Sequence, residues 1–197
     1  MAVASSSRQV ISIASLVQDL RNFPERSFVS TEEIRRFLAE HPVDPASLDG
    51  YLFWDAQHYT RNLIDKTPLY ELVAICWEVG HHSSIHNHRD QNCWMAVPIG
   101  RLMVQNYRVL FQDLKAGKCH IEKSFAVQMD AANPVAVDPN APVHKVYNPR
   151  EWAQRAVSLH VYSRPFDNCD VYSEEQQTCG TIALSYTSER GVRSRPA

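Results

Sequence analysis

Gly80-His81-His82-Ser83-Ser84-Ile85-His86-Asn87-His88 opens a stretch that runs on through Cys93 and Trp94 to Gly100, and its spacing is G-x5-H-x-H-x11-G. With 6 glycines and 9 histidines in 197 residues, a random chain would show this frame at roughly 4 in 10,000. Residues i and i+2 of a strand share a face, so His86 and His88 can offer two imidazoles to one ion. Further along, His144-Lys145-Val146-Tyr147-Asn148 supplies a third imidazole in an H-x3-N pattern. Three neutral imidazoles leave a divalent ion its full charge, and three protein ligands leave positions open for substrate. That donor set suits chemistry better than structural support.

Outward from this stretch, the sequence reads as about ten short strands rich in Val, Ile and aromatics. They are Tyr59 to Ile64, Tyr70 to Glu78, Cys93 to Pro98, Leu102 to Leu110, His120 to Gln128, Val135 to Val137, His144 to Tyr147, Ala156 to Tyr162, Cys169 to Tyr172 and Thr181 to Tyr186. No helices alternate with them, which excludes a doubly wound parallel sheet and predicts a mainly β two-sheet sandwich or jelly roll. Before them, Val10 to Phe23 carries apolar residues at helical spacing and ends at Pro24. Ser30-Thr31-Glu32-Glu33 reads as a capping box opening a second helix, and a helical turn is expected around Ala46 to Tyr51. The expected organisation is a helical segment over 1–50 packed on the barrel, a barrel domain over 51–187 and a flexible tail over 188–197. The Ser-rich start is expected to be unstructured as well.

A chain of 197 residues buries roughly 70% of its unfolded surface, so one domain needs neither disulfides nor a structural metal for its core. A formal charge of -2 lacks the basic stripe that polyphosphate binding requires, which sets nucleic acid aside as a partner. The apolar runs are too short to cross a bilayer, and Met1 to Arg8 lacks the pattern of a secretory signal, so no membrane partner is expected and the cytoplasm is the expected compartment. Cys76, Cys93, Cys119, Cys169 and Cys179 contain no C-x-x-C pair and do not read as a disulfide framework. His41, His58, His81, His82 and His120 read as surface or structural histidines, and Trp77 and Trp94 as core packing.

The two histidine patterns resemble the paired motifs of cupins, whose barrel would bring His144 opposite His86 and His88. In place of the usual carboxylate of the first motif stands Cys93. Beyond that frame, Tyr59-Thr60-Arg61-Asn62-Leu63, Cys76-Trp77, Ser83 to His88, Cys93 and Ala156-Val157-Ser158-Leu159-His160-Val161-Tyr162-Ser163 resemble, in order, the landmarks of the cysteine dioxygenase family of thiol dioxygenases. The match spans about Tyr51 to Phe166. The resemblance implies an oxidoreductase that adds both atoms of O2 to a thiol to give a sulfinate, with one Fe(II) per chain; a monomer is the expected state, with an oligomer left open.

Carried over by position, the resemblance makes His86, His88 and His144 the iron ligands. It gives Arg61, with Tyr59, the substrate carboxylate, for which a planar guanidinium fork is suited. Ser158, His160 and Tyr162 alternate along one strand and are expected to share the inward face, with the tyrosine hydroxyl beside the reacting atoms. In animal members the cysteine matching Cys93 is joined to this tyrosine by a thioether, and both partners are present here.

After Tyr162 this chain reads Ser163-Arg164-Pro165 where animal members read Ser-Pro-Pro. A cis bond before a residue other than proline costs about 2.5 to 4 kcal/mol, so the Ser163–Arg164 bond is expected to be trans. Bacterial relatives that act on 3-mercaptopropionate carry an arginine about here, which makes Arg164 a candidate substrate-binding residue. L-cysteine is the expected substrate, with 3-mercaptopropionate or mercaptosuccinate as enzyme alternatives. A reading of another class is a non-catalytic cupin module that binds a metal and reports on it.

Overall fold

The computed structural model describes residues 8–194. The Ser-rich start and residues 195–197 lie outside the described residues. Helix α1 spans Ile13–Asn22 and α2 spans Thr31–Glu40, followed by a 3-10 turn at Pro45–Tyr51. Thirteen strands follow: β1 Thr60–Lys66, β2 Glu71–Trp77, β3 Ile85–His86, β4 Asn92–Ile99, β5 Leu102–Asp113, β6 Lys118–Met129, β7 Val135–Ala136, β8 His144–Tyr147, β9 Ala156–Ser163, β10 Asn168–Ser173, β11 Thr178–Ala183, β12 Ser188–Glu189 and β13 Val192–Arg193. All ten expected strands are present, with ends moved by a few residues.

One sheet has the order β13-β12-β1-β2-β9-β4-β7, and the second closes on itself through β10-β11-β6-β5-β8-β3. The chain is mainly β and of cupin type. Alternation along β2 explains how the sheets are covered. Val73, Ile75 and Trp77 join Cys93, Met95, Leu102, Val104 and Val146 in the core between the sheets, whereas Leu72, Ala74 and Cys76 face the opposite way. That outer face is covered by Ile13, Leu16 and Leu20 of α1 and Ile34 and Leu38 of α2. Every residue of β2 is therefore buried, as a central strand packed on both faces must be.

Helix α1 starts where the Ser12 hydroxyl accepts the Ser15 backbone N–H at 3.1 Å, three residues inside the expected range. Ile11 instead bridges to Val43 in extended conformation. The expected capping box at α2 does not form, because the Ser30 side chain makes no hydrogen bond to the helix.

Residues 188–194 correct the expectation of a flexible tail. Strand β12 runs parallel to β1, and β13 folds back on β12 across a two-residue turn. Arg190 and Gly191 in that turn have φ of 49° and 78°, the left-handed pair that a tight hairpin of this twist requires. The buried Ser188 hydroxyl donates to Asn62 Oδ1 at 2.9 Å and locks the hairpin to the sheet. Strands of two residues are too short to display an alternation, which is why the sequence pattern does not reveal them.

Candidate functional site

His86 closes β3 and His144 opens β8, and these two residues are Cα partners across the ladder. His88 lies just past β3, so the expected strand carrying both His86 and His88 is only two residues long. The chain is nonetheless held in place, since the Asn87 N–H donates to Asp170 O and Asn87 Oδ1 accepts the Asp170 N–H, each at 3.1 Å. One ligand nitrogen from each of His86, His88 and His144 lies within 4.8 Å of the others.

The donor set fits a divalent metal on two further grounds. His86 Nδ1 lies 2.9 Å from Ser84 O and His144 Nδ1 lies 3.0 Å from Pro142 O, which puts the ring hydrogen on Nδ1 and leaves the Nε2 lone pair to face the centre. His144 Nε2 and both nitrogens of His88 are buried without any hydrogen-bond partner, so they are available to a ligand bound between them. Burial, joined for His144 by its neighbour His86, lowers His86 to about 4 and His144 to about 3; burial likewise takes His88 well below its ordinary value. All three are neutral ligands at pH 7.

These shifts carry a pH prediction for the metal-free chain. Both values lie below the ordinary 6.5, so each ring stays neutral when folded and takes up a proton on unfolding once the pH drops below 6.5. Stability is expected to fall between pH 6.5 and 5 by up to roughly 1.4 kcal/mol per pH unit for each histidine. Urea unfolding at pH 7, 6 and 5 reads it, and a free energy flat across that window would contradict buried neutral rings.

His86 and His88 line a narrow cavity of about 30 Å³, whose walls also include Tyr59, Arg61, Tyr162, Phe166 and Cys169. Arg61 comes from β1, and its Nε and Nη2 are buried with no hydrogen-bond partner. Its guanidinium carbon sits 5.8 Å from the ring centres of both Tyr162 and Tyr186. Tyr59 stacks on Trp77 at 4.8 Å between ring centres.

Ser158, His160 and Tyr162 share one face of β9 and are all buried. The Trp77 indole N–H donates to Ser158 Oγ at 2.8 Å, Ser158 Oγ lies 2.8 Å from His160 Nε2, and His160 Nδ1 lies 3.0 Å from the Tyr162 hydroxyl. An indole only donates, so the Ser158 hydrogen finds an acceptor here only at His160 Nε2. His160 then carries its hydrogen on Nδ1 and donates to the Tyr162 oxygen, leaving the Tyr162 O–H free to donate into the cavity. Burial holds His160 well below its ordinary value and the Tyr162 phenol well above its own, so both stay neutral and the polarity of the chain is fixed.

Cys93 and Tyr162 are Cα partners across β4 and β9, and both are buried. Arg164 corrects two expectations. The Ser163–Arg164 peptide is cis, with the Arg164 N–H donated to Gln91 Oε1. Its side chain is 68% exposed and pairs with Glu25 at 3.1 Å, so Arg164 does not reach the cavity, which Phe166 lines instead.

Three functional neighbours escape the sequence reading. Trp77 packs the core as expected but also heads the hydrogen-bond chain. Glu71 is fully buried beneath Arg61, and Tyr186 donates its hydroxyl to Glu71. An acidic residue at the head of the apolar run Leu72 to Trp77 is the one sequence signal that could have drawn attention to Glu71.

A cupin-type barrel whose interior gathers three neutral imidazoles, a buried guanidinium and a phenol defines the class: a cupin with a histidine cluster that fits a metal site. The profile described as Cysteine dioxygenase type I matches residues 1–175, and the chain belongs to that family. Its thiol dioxygenase activity follows from this membership. Cysteine dioxygenase type 1 of Rattus norvegicus is 31% identical over 186 residues, covering 92% of this chain and 89% of the rat protein. The Homo sapiens enzyme is 29% identical over 184 residues, with the same coverage. A double-stranded β-helix domain protein from Klebsiella pneumoniae is 17% identical with a TM-score of 0.41, covering 59% of this chain and 86% of its own.

Proposed function

We propose that this protein is a non-haem Fe(II) dioxygenase that converts L-cysteine and O2 to cysteine sulfinate. The observation that carries the reading is the placement of a buried Arg61 with unpartnered N–H groups in the same narrow cavity as His86 and His88, with the His144 ligand nitrogen grouped beside theirs. His86, His88 and His144 would hold the iron, and one Fe(II) per chain suffices because a single chain supplies the whole set. Bound iron supplies open coordination positions and the redox chemistry that joins both oxygen atoms of O2 to the substrate sulfur.

The chain's own residues do the positioning. Arg61 takes the α-carboxylate through charge-assisted hydrogen bonds and so fixes the far end of the substrate. Phe166, Val171, Ile182 and Leu184 close the cavity with apolar surface and keep water from the reacting sulfur. The Tyr162 O–H, directed by Trp77, Ser158 and His160, donates toward oxygen atoms gaining negative charge, and its high proton affinity keeps it a donor rather than a phenolate.

Cys93 and Tyr162 are proposed to form a thioether. Residues paired across antiparallel strands place their side chains on one face, and here both side chains are buried. Joining Cys93 Sγ to the ring carbon beside the hydroxyl breaks the S–H and ring C–H bonds and releases two electrons and two protons, which O2 takes up as hydrogen peroxide. The cytoplasm is the proposed compartment, consistent with five cysteines that are all free. The alternatives that drew on Arg164 lose their support, because its charge is spent on Glu25 at the surface.

The test is O2 uptake by the Fe(II)-reconstituted chain with L-cysteine, 3-mercaptopropionate and mercaptosuccinate in parallel, with the product identified by mass. One O2 per cysteine sulfinate, dependent on iron, is the expected result. Iron-loaded protein that consumes no O2 with any thiol would instead support a metal-binding sensor module. The intact mass of the turned-over protein, lighter by two hydrogens, reads the cross-link.

A further inference from the structure

Arg61 is the one charged side chain among the described residues that line the cavity. Directly behind it stands Glu71, the first residue of β2, with no exposed surface. One Glu71 oxygen accepts the Tyr186 hydroxyl and lies 3.7 Å from Lys66 Nζ. The other lies 3.7 Å from Arg61 Nη2 and has no hydrogen-bond partner. Lys66 is the Cα partner of Glu71 and is 41% exposed, so water screens much of its charge. The Arg61 guanidinium is therefore offset at short range by a buried carboxylate that does not occupy its hydrogen-bonding groups.

A buried carboxylate leaves its mark on every anion entering the cavity. Its repulsion scales with the charge of the ligand, and in a desolvated site it is weakly screened. A thiol with one carboxylate can use the free Arg61 N–H groups. A thiol with two meets the same single guanidinium, already offset, and no second cationic side chain in the described lining, since Arg164 is turned to Glu25, while the charge of a bound metal acts alike in the wild type and in a Glu71 variant. Tyr186 matters because its hydrogen bond keeps the Glu71 charge in place, and its ring forms one side of the Arg61 slot.

We propose that Glu71, anchored by Tyr186, is a specificity-determining residue that restricts the cavity to thiols carrying a single carboxylate and rejects dicarboxylates. This rests on the thiol dioxygenase reading and extends it, naming what sets the substrate class. Discrimination here comes from a repulsive element rather than from a better contact to the favoured ligand.

The experiment is anaerobic equilibrium binding to the Fe(II)-loaded full chain, which reads affinity without turnover. The probes are L-cysteine, 3-mercaptopropionate and mercaptosuccinate, the last differing from the second by one added carboxylate. The wild type is expected to bind mercaptosuccinate at least about tenfold more weakly than 3-mercaptopropionate, and Glu71→Gln is expected to remove about tenfold of that gap. Glu71→Asp, which keeps the charge, is expected to retain the wild-type ratio. A wild type that binds the two equally overturns the proposal even if Glu71→Gln does not fold. So does a Glu71→Gln chain in which all three affinities fall together, the mark of a structural role. A wild type that binds none of the thiols overturns the thiol reading and this proposal with it.

Discussion

Replacing His144 by alanine is expected to abolish iron loading and turnover while leaving a folded barrel. His144 is fully buried, and its Nε2 has no protein partner to lose. Losing a residue that merely supports a metal ligand typically costs 10 to 100-fold in affinity, so losing a ligand is expected to cost more than about 100-fold. The fold survives because the neighbouring contacts of β8 are backbone bonds to β5 and β3, which alanine keeps. Iron content by metal analysis, circular dichroism and O2 uptake read the three parts separately. Full activity in this variant would sink the three-histidine assignment.

Replacing Arg61 by alanine is expected to lower kcat/KM for L-cysteine by about 100-fold or more, chiefly through KM, because two charge-assisted hydrogen bonds of roughly 1.5 to 3 kcal/mol each disappear. Cysteamine, which lacks the carboxylate, is expected to change by no more than a few-fold. The same variant leaves Glu71 buried with only the Tyr186 hydrogen bond and the partly exposed Lys66 beside it, which is expected to lower stability. A double variant with Glu71→Gln is therefore expected to regain much of the Tm without regaining cysteine activity. Equal losses for cysteine and cysteamine would mean that Arg61 supports the barrel rather than the substrate.

Much of the site is legible along the chain because spacing carries it. The pattern from Gly80 to Gly100 marks two imidazoles at i and i+2, His144 to Asn148 marks a third, and alternation puts Ser158, His160 and Tyr162 on one face. Arg164 shows the limit. Its position two residues past Tyr162 suggests a pocket wall, yet the direction of its side chain depends on Glu25, 139 residues away. The hairpin at 188–193 is hidden for a related reason, since its stability lies in bonds to β1 and in Asn62 rather than in its own pattern.

The sequence by itself determines the mainly β class, the order of the strands, the metal-site histidines as a candidate set and the residues of the alternating β9 face. These are local properties, fixed by a period of two and by side-chain chemistry. Tertiary structure alone decides which charges meet. It sets Glu71 beneath Arg61, joins Tyr186 to Glu71 across 115 residues, turns Arg164 outward and places Trp77 at the head of the chain ending in the Tyr162 hydroxyl. The physical reason is that electrostatic interaction and hydrogen bonding depend on distance in space and on burial, and closure of the barrel brings together strands that the sequence keeps far apart.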